Sequence, residues 1–152
     1  MFNDQFGYKN MYAKPTALAS YGRIANAESD PIKQIVMLYD GAIKFLNQSA
    51  DDIENGDFEA KGRHSNRAFD IINYLQSILD FEKGGEVAAS LDKLYGCVTL
   101  MALRASSFCD AAMMRQAGQL LSPVRDAWQT NAMAGENISA ISREHARFAI
   151  SG

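Results

Sequence analysis

The sequence predicts an all-α protein, an antiparallel up-down four-helix bundle, from three observations. Apolar residues recur at three-four spacing through four long segments. No stretch alternates like a half-buried strand for more than a few residues. Cap and turn residues separate the segments by short connections, which favour antiparallel neighbours. Four helices of about 20–25 residues bury four apolar stripes most simply as such a bundle.

The first helix is expected at about 31–55. Asp30 can accept backbone N–H groups as N-cap, and Pro31 suits a first turn because it has no N–H to leave unpaired. Its seam is Ile32, Ile35, Tyr39, Ala42, Leu46, Ala50 and Ile53, and Asn55-Gly56 ends it. Val36, Met37, Leu38, Ile43 and Phe45 are apolar too and point elsewhere. A helix apolar on more than one side is either central in its bundle or binds something else.

Asp57 caps a second helix, about 58–82, with apolar Ala68, Ile71, Ile72, Leu75, Ile78 and Leu79, broken at Gly84-Gly85. The third, about 86–107, uses Val87, Ala88, Leu91, Leu94, Tyr95, Val98, Ala102 and Ala105. A weak break follows near Ser106–Asp110. The fourth, about 112–133, uses Met113, Ala117, Leu120, Leu121, Val124, Ala127 and Trp128, with Pro123 expected to kink it. The chain divides into an arm (1–29), a helical bundle (30–133) and a tail (134–152). The arm is aromatic and aperiodic, with a short helix expected near Tyr21–Ala27. In the tail, Ile141, His145 and Phe148 suggest a short fifth helix over Ser139–Ile150.

Composition excludes several functions. The chain has 152 residues, 47% hydrophobic, enough for one domain with a core. A net charge of -3 offers no concentrated positive face for nucleic acid. No apolar run approaches the roughly 20 residues of a membrane span, and Met1–Phe6 does not read as a secretory signal. Cys97 and Cys109 stand about 18 Å apart along one helix, too far for a disulfide, so both read as free thiols in a reducing cytoplasm.

Catalytic chemistry is missing from the pattern. His64 and His145 belong to no metal or di-iron motif, there is no Cys-x-x-Cys and no phosphate loop, and no cofactor or metal is expected. The acidic run Asp51–Glu59 lacks calcium-loop spacing and reads as a solvated helix end with a capping Asp57. The expectation is a protein that is not an enzyme.

Tyr21, then Asp30-Pro31, then Met37-Leu38-Tyr39-Asp40-Gly41-Ala42 resemble the flagellar secretion chaperone FliS family. The resemblance continues through Ile53–Asp57, Lys61-Gly62, Ala68–Ile72, Leu79-Asp80, Gly84–Ala88, Leu91 and Leu94-Tyr95, and closes at Arg125-Asp126-Ala127-Trp128. One departure stands out. Leu100-Met101-Ala102-Leu103-Arg104-Ala105-Ser106 is more apolar than the polar or basic pair many members carry there.

The resemblance implies a cytoplasmic export chaperone. It would bind the C-terminal segment of flagellin, prevent premature polymerisation, and deliver its client to a component of the flagellar export gate. The client-binding candidates are Ile35, Leu38, Tyr39, Ala42, Leu94, Tyr95 and Val98, with Val36, Ile43, Phe45, Cys97, Leu100 and Met101 as surplus apolar positions on the same two helices. The family's arm is thought to cover part of the groove when no client is bound, which makes Tyr8, Tyr12, Tyr21 and Ile24 the candidates for that cover. Seven methionines suit an adaptable surface. The rival reading is a self-associating helical adaptor, a homodimer that binds another flagellar or cytoplasmic protein.

Overall fold

The computed structural model describes residues 30–133, which form four helices. They are α1 (Pro31–Glu54), α2 (Phe58–Ser77), α3 (Phe81–Phe108) and α4 (Ala111–Met133). The arm candidates Tyr8, Tyr12, Tyr21 and Ile24, the short helix expected near Tyr21–Ala27 and the fifth helix expected over 139–150 lie outside the described residues.

An aspartate starts every helix. Asp30 accepts from the Ile32 N–H, Asp57 from Ala60, Asp80 from Lys83 and Asp110 from Met113, each at 3.0 Å. Each such cap satisfies an orphan donor and contributes about 1 kcal/mol. Two of them, Asp30 and Asp57, are legible as caps in the sequence. Asn55 and Gly56 end α1 as expected, with Gly56 at φ 74, a conformation that favours glycine.

The α2–α3 boundary differs from the expected one. α2 stops at Ser77, five residues early, and α3 starts at Phe81. The expected break at Gly84-Gly85 survives as an interruption inside α3, where Gly85 takes φ 51, ψ -123. Asp80 explains the difference. Its side chain caps Lys83 and its carbonyl accepts from Gly84, so Phe81–Gly84 closes a turn of its own ahead of the glycine.

α3 ends where Cys109 turns left-handed, at φ 52, ψ 47. Cys109 N–H reaches the Ser106 carbonyl and Asp110 N–H the Ala105 carbonyl, the paired bonds of a Schellman stop. The position usually belongs to glycine, which is why the sequence shows only a weak break. α4 then runs through Pro123 to Met133. Proline removes the donor to the Gln119 carbonyl, but Pro123 and Gln119 are both exposed, so water can satisfy that oxygen.

Cross-helix contacts fix the topology. Late α1 meets early α2 at Ser49–Ser65 and Asp52–His64. Early α2 meets late α3 at Lys61–Ser106, and late α2 meets early α3 at Gln76–Asp92. Early α4 meets late α1 through Arg115 to Asp51 and Glu54, and late α4 meets early α1 through Arg125 to Asp40. Neighbours in the ring α1–α2–α3–α4 therefore run antiparallel, as expected.

The core joins Leu38, Tyr39, Ala42, Phe45 and Leu46 to Ile71, Ile72, Leu75, Tyr95, Val98, Met114 and Leu121. On α4 the fully buried methionine is Met114, not the expected Met113, and Leu120 is partly exposed. A buried serine pair interrupts the apolar seam of α1 and α2: Ser49 and Ser65 hydrogen-bond at 2.7 Å, and Ser49 also donates to the Lys61 carbonyl at 3.2 Å. Two small hydroxyls that satisfy each other let the helices approach without an orphaned polar atom.

Candidate functional site

Six of the seven client-binding candidates are interior residues. Ile35, Leu38, Tyr39, Ala42, Tyr95 and Val98 are buried, and Leu94 is half-buried against the core. The surplus apolar residues of α1 share this fate: Val36 and Phe45 are buried, and Met37 and Ile43 are half-buried. For α1, apolarity on several sides means a central place in the bundle, packed against both α2 and α4.

Tyr39 and Tyr95 meet across the bundle diagonal. Their hydroxyls lie 2.8 Å apart and their rings are tilted at 58°. Burial pushes the Tyr39 phenol up to about 12, against the hydrogen bonds to Tyr95 and Trp128. Burial, reinforced by Tyr39, raises Tyr95 further. Both phenols are neutral across the physiological range, so the pair is a structural hydrogen bond and offers no acid or base near pH 7.

The two most distinctive sequence motifs are neighbours in space. Arg125 grips Asp40 through Nε at 2.6 Å and Nη2 at 3.2 Å, and Trp128, three residues on, packs against the core that holds Tyr39. The hydrogen bond to Asp40 holds the Arg125 guanidinium above its usual range. The Met37–Ala42 and Arg125–Trp128 motifs therefore lock α4 onto α1.

The accessible apolar surface lies mainly on α3. Its seam Leu91, Tyr95, Val98, Ala102 and Ala105 faces the core. Behind that seam, Leu100 is 60% exposed, Leu103 47% and Phe108 73%. Cys97 is exposed beside Leu100, and Met101 is half-buried. Leu103 stands one turn before Ser106, whose carbonyl accepts from Lys61 of α2 at 2.9 Å. The Lys61 ammonium in turn lies over the exposed Phe58 ring. Phe58 and Leu103 thus flank one junction of α2 with α3.

Two glycines leave that junction shallow. Gly62 follows Lys61, and Gly96 sits two turns before Leu103 on the same side of α3. A Cβ at either would meet nothing within 4 Å. Among the described residues, no packing requires these glycines, although each costs about 1 kcal/mol relative to alanine within a helix.

Of this surface, the sequence singled out Cys97, Leu100 and Met101. It missed Phe58, Leu103 and Phe108. The available signal was the apolar stretch Leu100–Leu103, in which Leu100 and Leu103 fall on the side of the helical wheel away from the Tyr95–Val98–Ala102 seam.

Comparison with known proteins bears directly on this fold. A family model described as flagellar protein FliS matches residues 14–136. The chain is 38% identical over 102 residues to the flagellar secretion chaperone FliS of Salmonella typhimurium, covering 66% of this chain and 76% of that protein. It is 30% identical over 112 residues to the flagellar secretion chaperone FliS of Vibrio cholerae, covering 74% and 82%. The corresponding figures for Bacillus subtilis FliS are 30% over 99 residues, 65% and 73%.

Proposed function

We infer the function of this chain from one premise: it belongs to the FliS family. It is a flagellar export chaperone, an all-helical bundle that works by holding protein partners. The finer reading is that it binds the C-terminal segment of flagellin in the cytoplasm, keeps it from polymerising, and hands it to a component of the export gate.

The observation that carries this reading is the exposed apolar face of α3, with Leu100, Leu103 and Phe108, continued by Phe58 of α2. A client segment that is unfolded when free loses conformational entropy on binding. Apolar burial at about 25 cal/mol per Å² is the term able to offset that loss. A client helix laid along the α2–α3 junction would bury its apolar face there, over the shallow floor at Gly62 and Gly96. Ile35, Leu38, Tyr39, Ala42, Leu94, Tyr95 and Val98 would act beneath it, holding α1 and α3 in the register that shapes the surface. In the absence of client, the aromatic arm, with Tyr8, Tyr12, Tyr21 and Ile24, would cover part of this surface.

Calorimetric titration with a peptide of the flagellin C-terminal segment tests the reading. One-to-one binding with a large negative heat-capacity change is expected, because apolar burial leaves that signature. Absence of heat at several temperatures, with the protein folded, overturns it. A mass that rises with concentration in the absence of peptide would instead favour the self-associating adaptor. Removing residues 1–20 should leave the bundle folded and tighten binding, and weaker binding would refute competition by the arm.

A further inference from the structure

A second surface differs from the first in chemistry and in place. At the outer junction of α1 and α2, Phe45 is nearly covered by three cationic or cationisable side chains. Lys44 Nζ lies 5.8 Å from the ring centroid, Arg67 Cζ also lies 5.8 Å away, and the His64 ring lies parallel to within 19° at 6.1 Å. Arg63 is exposed one turn before Arg67. A ring face attracts one cation favourably, but two cations over one ring also repel each other.

The neighbouring carboxylates do not relieve this. Asp52 is taken by His64, and Asp40, one turn before Lys44, is taken by Arg125. Asp70, one turn after Arg67, is half-buried and held above its usual range by that burial. Among the described residues, no carboxylate lies within ion-pair distance of Lys44, Arg63 or Arg67. In a chain of net charge -3, this is a local excess of unpaired positive charge on an aromatic floor.

We propose that this junction is a docking site for an acidic segment of a second protein, whose carboxylates pair with Lys44 and Arg67. The planar guanidinium offers a carboxylate two parallel N–H donors, and Lys44 supplies a compact second charge. The cluster is too small for nucleic acid or an anionic membrane, which need an extended cationic array. A second copy of this chain is a poor occupant, because its acidic run is committed except for Glu59. Asp51 and Glu54 hold Arg115, Asp52 holds His64, and Asp57 caps α2. The site uses α1 and α2 and leaves the exposed α3 face free, so an acidic partner and a client could be held together. The inference rests on charge and geometry and stands whether or not the client is flagellin.

The test is an NMR titration of the isotope-labelled full-length chain with a short oligoglutamate peptide. Saturable shifts centred on Lys44, Phe45, His64 and Arg67 are expected at about 0.05 M salt. They should vanish near 1 M, where the Debye length falls to about 3 Å. The double variant Lys44→Gln/Arg67→Gln should weaken binding about tenfold, the scale of two lost charge-assisted contacts. Lys44→Arg/Arg67→Lys keeps both charges and should retain binding, and Arg104→Gln on exposed α3 should change nothing. Melting curves of all variants should match the parent, since the altered side chains are exposed. No shifts, shifts spread over the surface, or equal loss in Arg104→Gln overturn the proposal. Equal binding of an oligonucleotide or of phosphatidylglycerol vesicles at the same residues also overturns it, by showing a general anion surface.

Discussion

α1 and α3 carry similar surpluses of apolar residues and spend them differently. On α1, Val36, Leu38 and Phe45 lie beside the seam and are buried. On α3, Leu100 and Leu103 lie on the side turned away from the seam and are exposed. The difference follows from their neighbours. α1 packs closely against both α2 and α4 and is pinned to α4 at two points, by Arg115 near its C-terminal end and by Arg125 near its middle. α3 packs less extensively against the same two helices. Apolar content alone does not separate core from binding face; the number of sides covered by other helices does.

The comparison breaks most sharply at one pair of substitutions. Leu38→Asp places an unpaired carboxylate at a site 4% exposed, and should abolish cooperative unfolding in a urea titration. Leu100→Asp should leave the urea midpoint within about 0.5 kcal/mol of the parent, and weaken client binding in the calorimeter. If Leu100→Asp unfolds the protein, the α3 face is core in solution.

Between the two helices, Tyr39→Phe should cost about 1–3 kcal/mol by stranding the Tyr95 hydroxyl, and Tyr39→Phe/Tyr95→Phe should cost less. Alkaline titration tests the same contact. Both phenols titrate higher when folded than the usual 10.0, so the folded state holds protons that the unfolded chain has released. Their contribution is complete below pH 10 and is lost as pH rises toward about 12 and beyond. Melting temperature should therefore fall above pH 10, less steeply in the double-phenylalanine variant.

Two glycine exchanges sharpen the picture at about 1 kcal/mol. Cys109→Gly relieves a left-handed cysteine and should raise stability by about 1 kcal/mol in chemical denaturation. Gly96→Ala should also stabilise by about 1 kcal/mol, because space is open there, while lowering client affinity if α3 seats the client. Stabilisation with unchanged affinity would move the client off that junction. The smallest effect belongs to Arg125→Gln. Its ion pair with Asp40 is half-exposed, so the expected cost is about 0–1 kcal/mol and should shrink in high salt.

Much of the fold is legible in the chain because its determinants are local. Asp30-Pro31, Asn55-Gly56 and Asp57 fix helix ends through backbone hydrogen bonds within a few residues, and the three-four spacing names most of the buried stripe. The misplaced α2–α3 boundary has a local cause too, since Asp80 caps a single turn ahead of Gly85 and the conspicuous glycine pair drew the break away from it. The Cys109 stop lacks the residue that usually marks such a turn. The candidate site was less legible. The stretch from Met37 to Ala42 looks like a recognition helix in one dimension, yet its Tyr39 and Asp40 are spent on Tyr95 and Arg125.

The sequence by itself determined the four helices, the Asp30 and Asp57 caps, the antiparallel order and the family. Each of these depends on periodicity, on capping chemistry or on residue patterns that survive without knowledge of contacts. Only the tertiary structure decided which apolar residues off the seams are interior and which cations lack partners. Those properties depend on which helix lies opposite, and Leu38 and Leu100 are the same residue until the bundle closes over one of them.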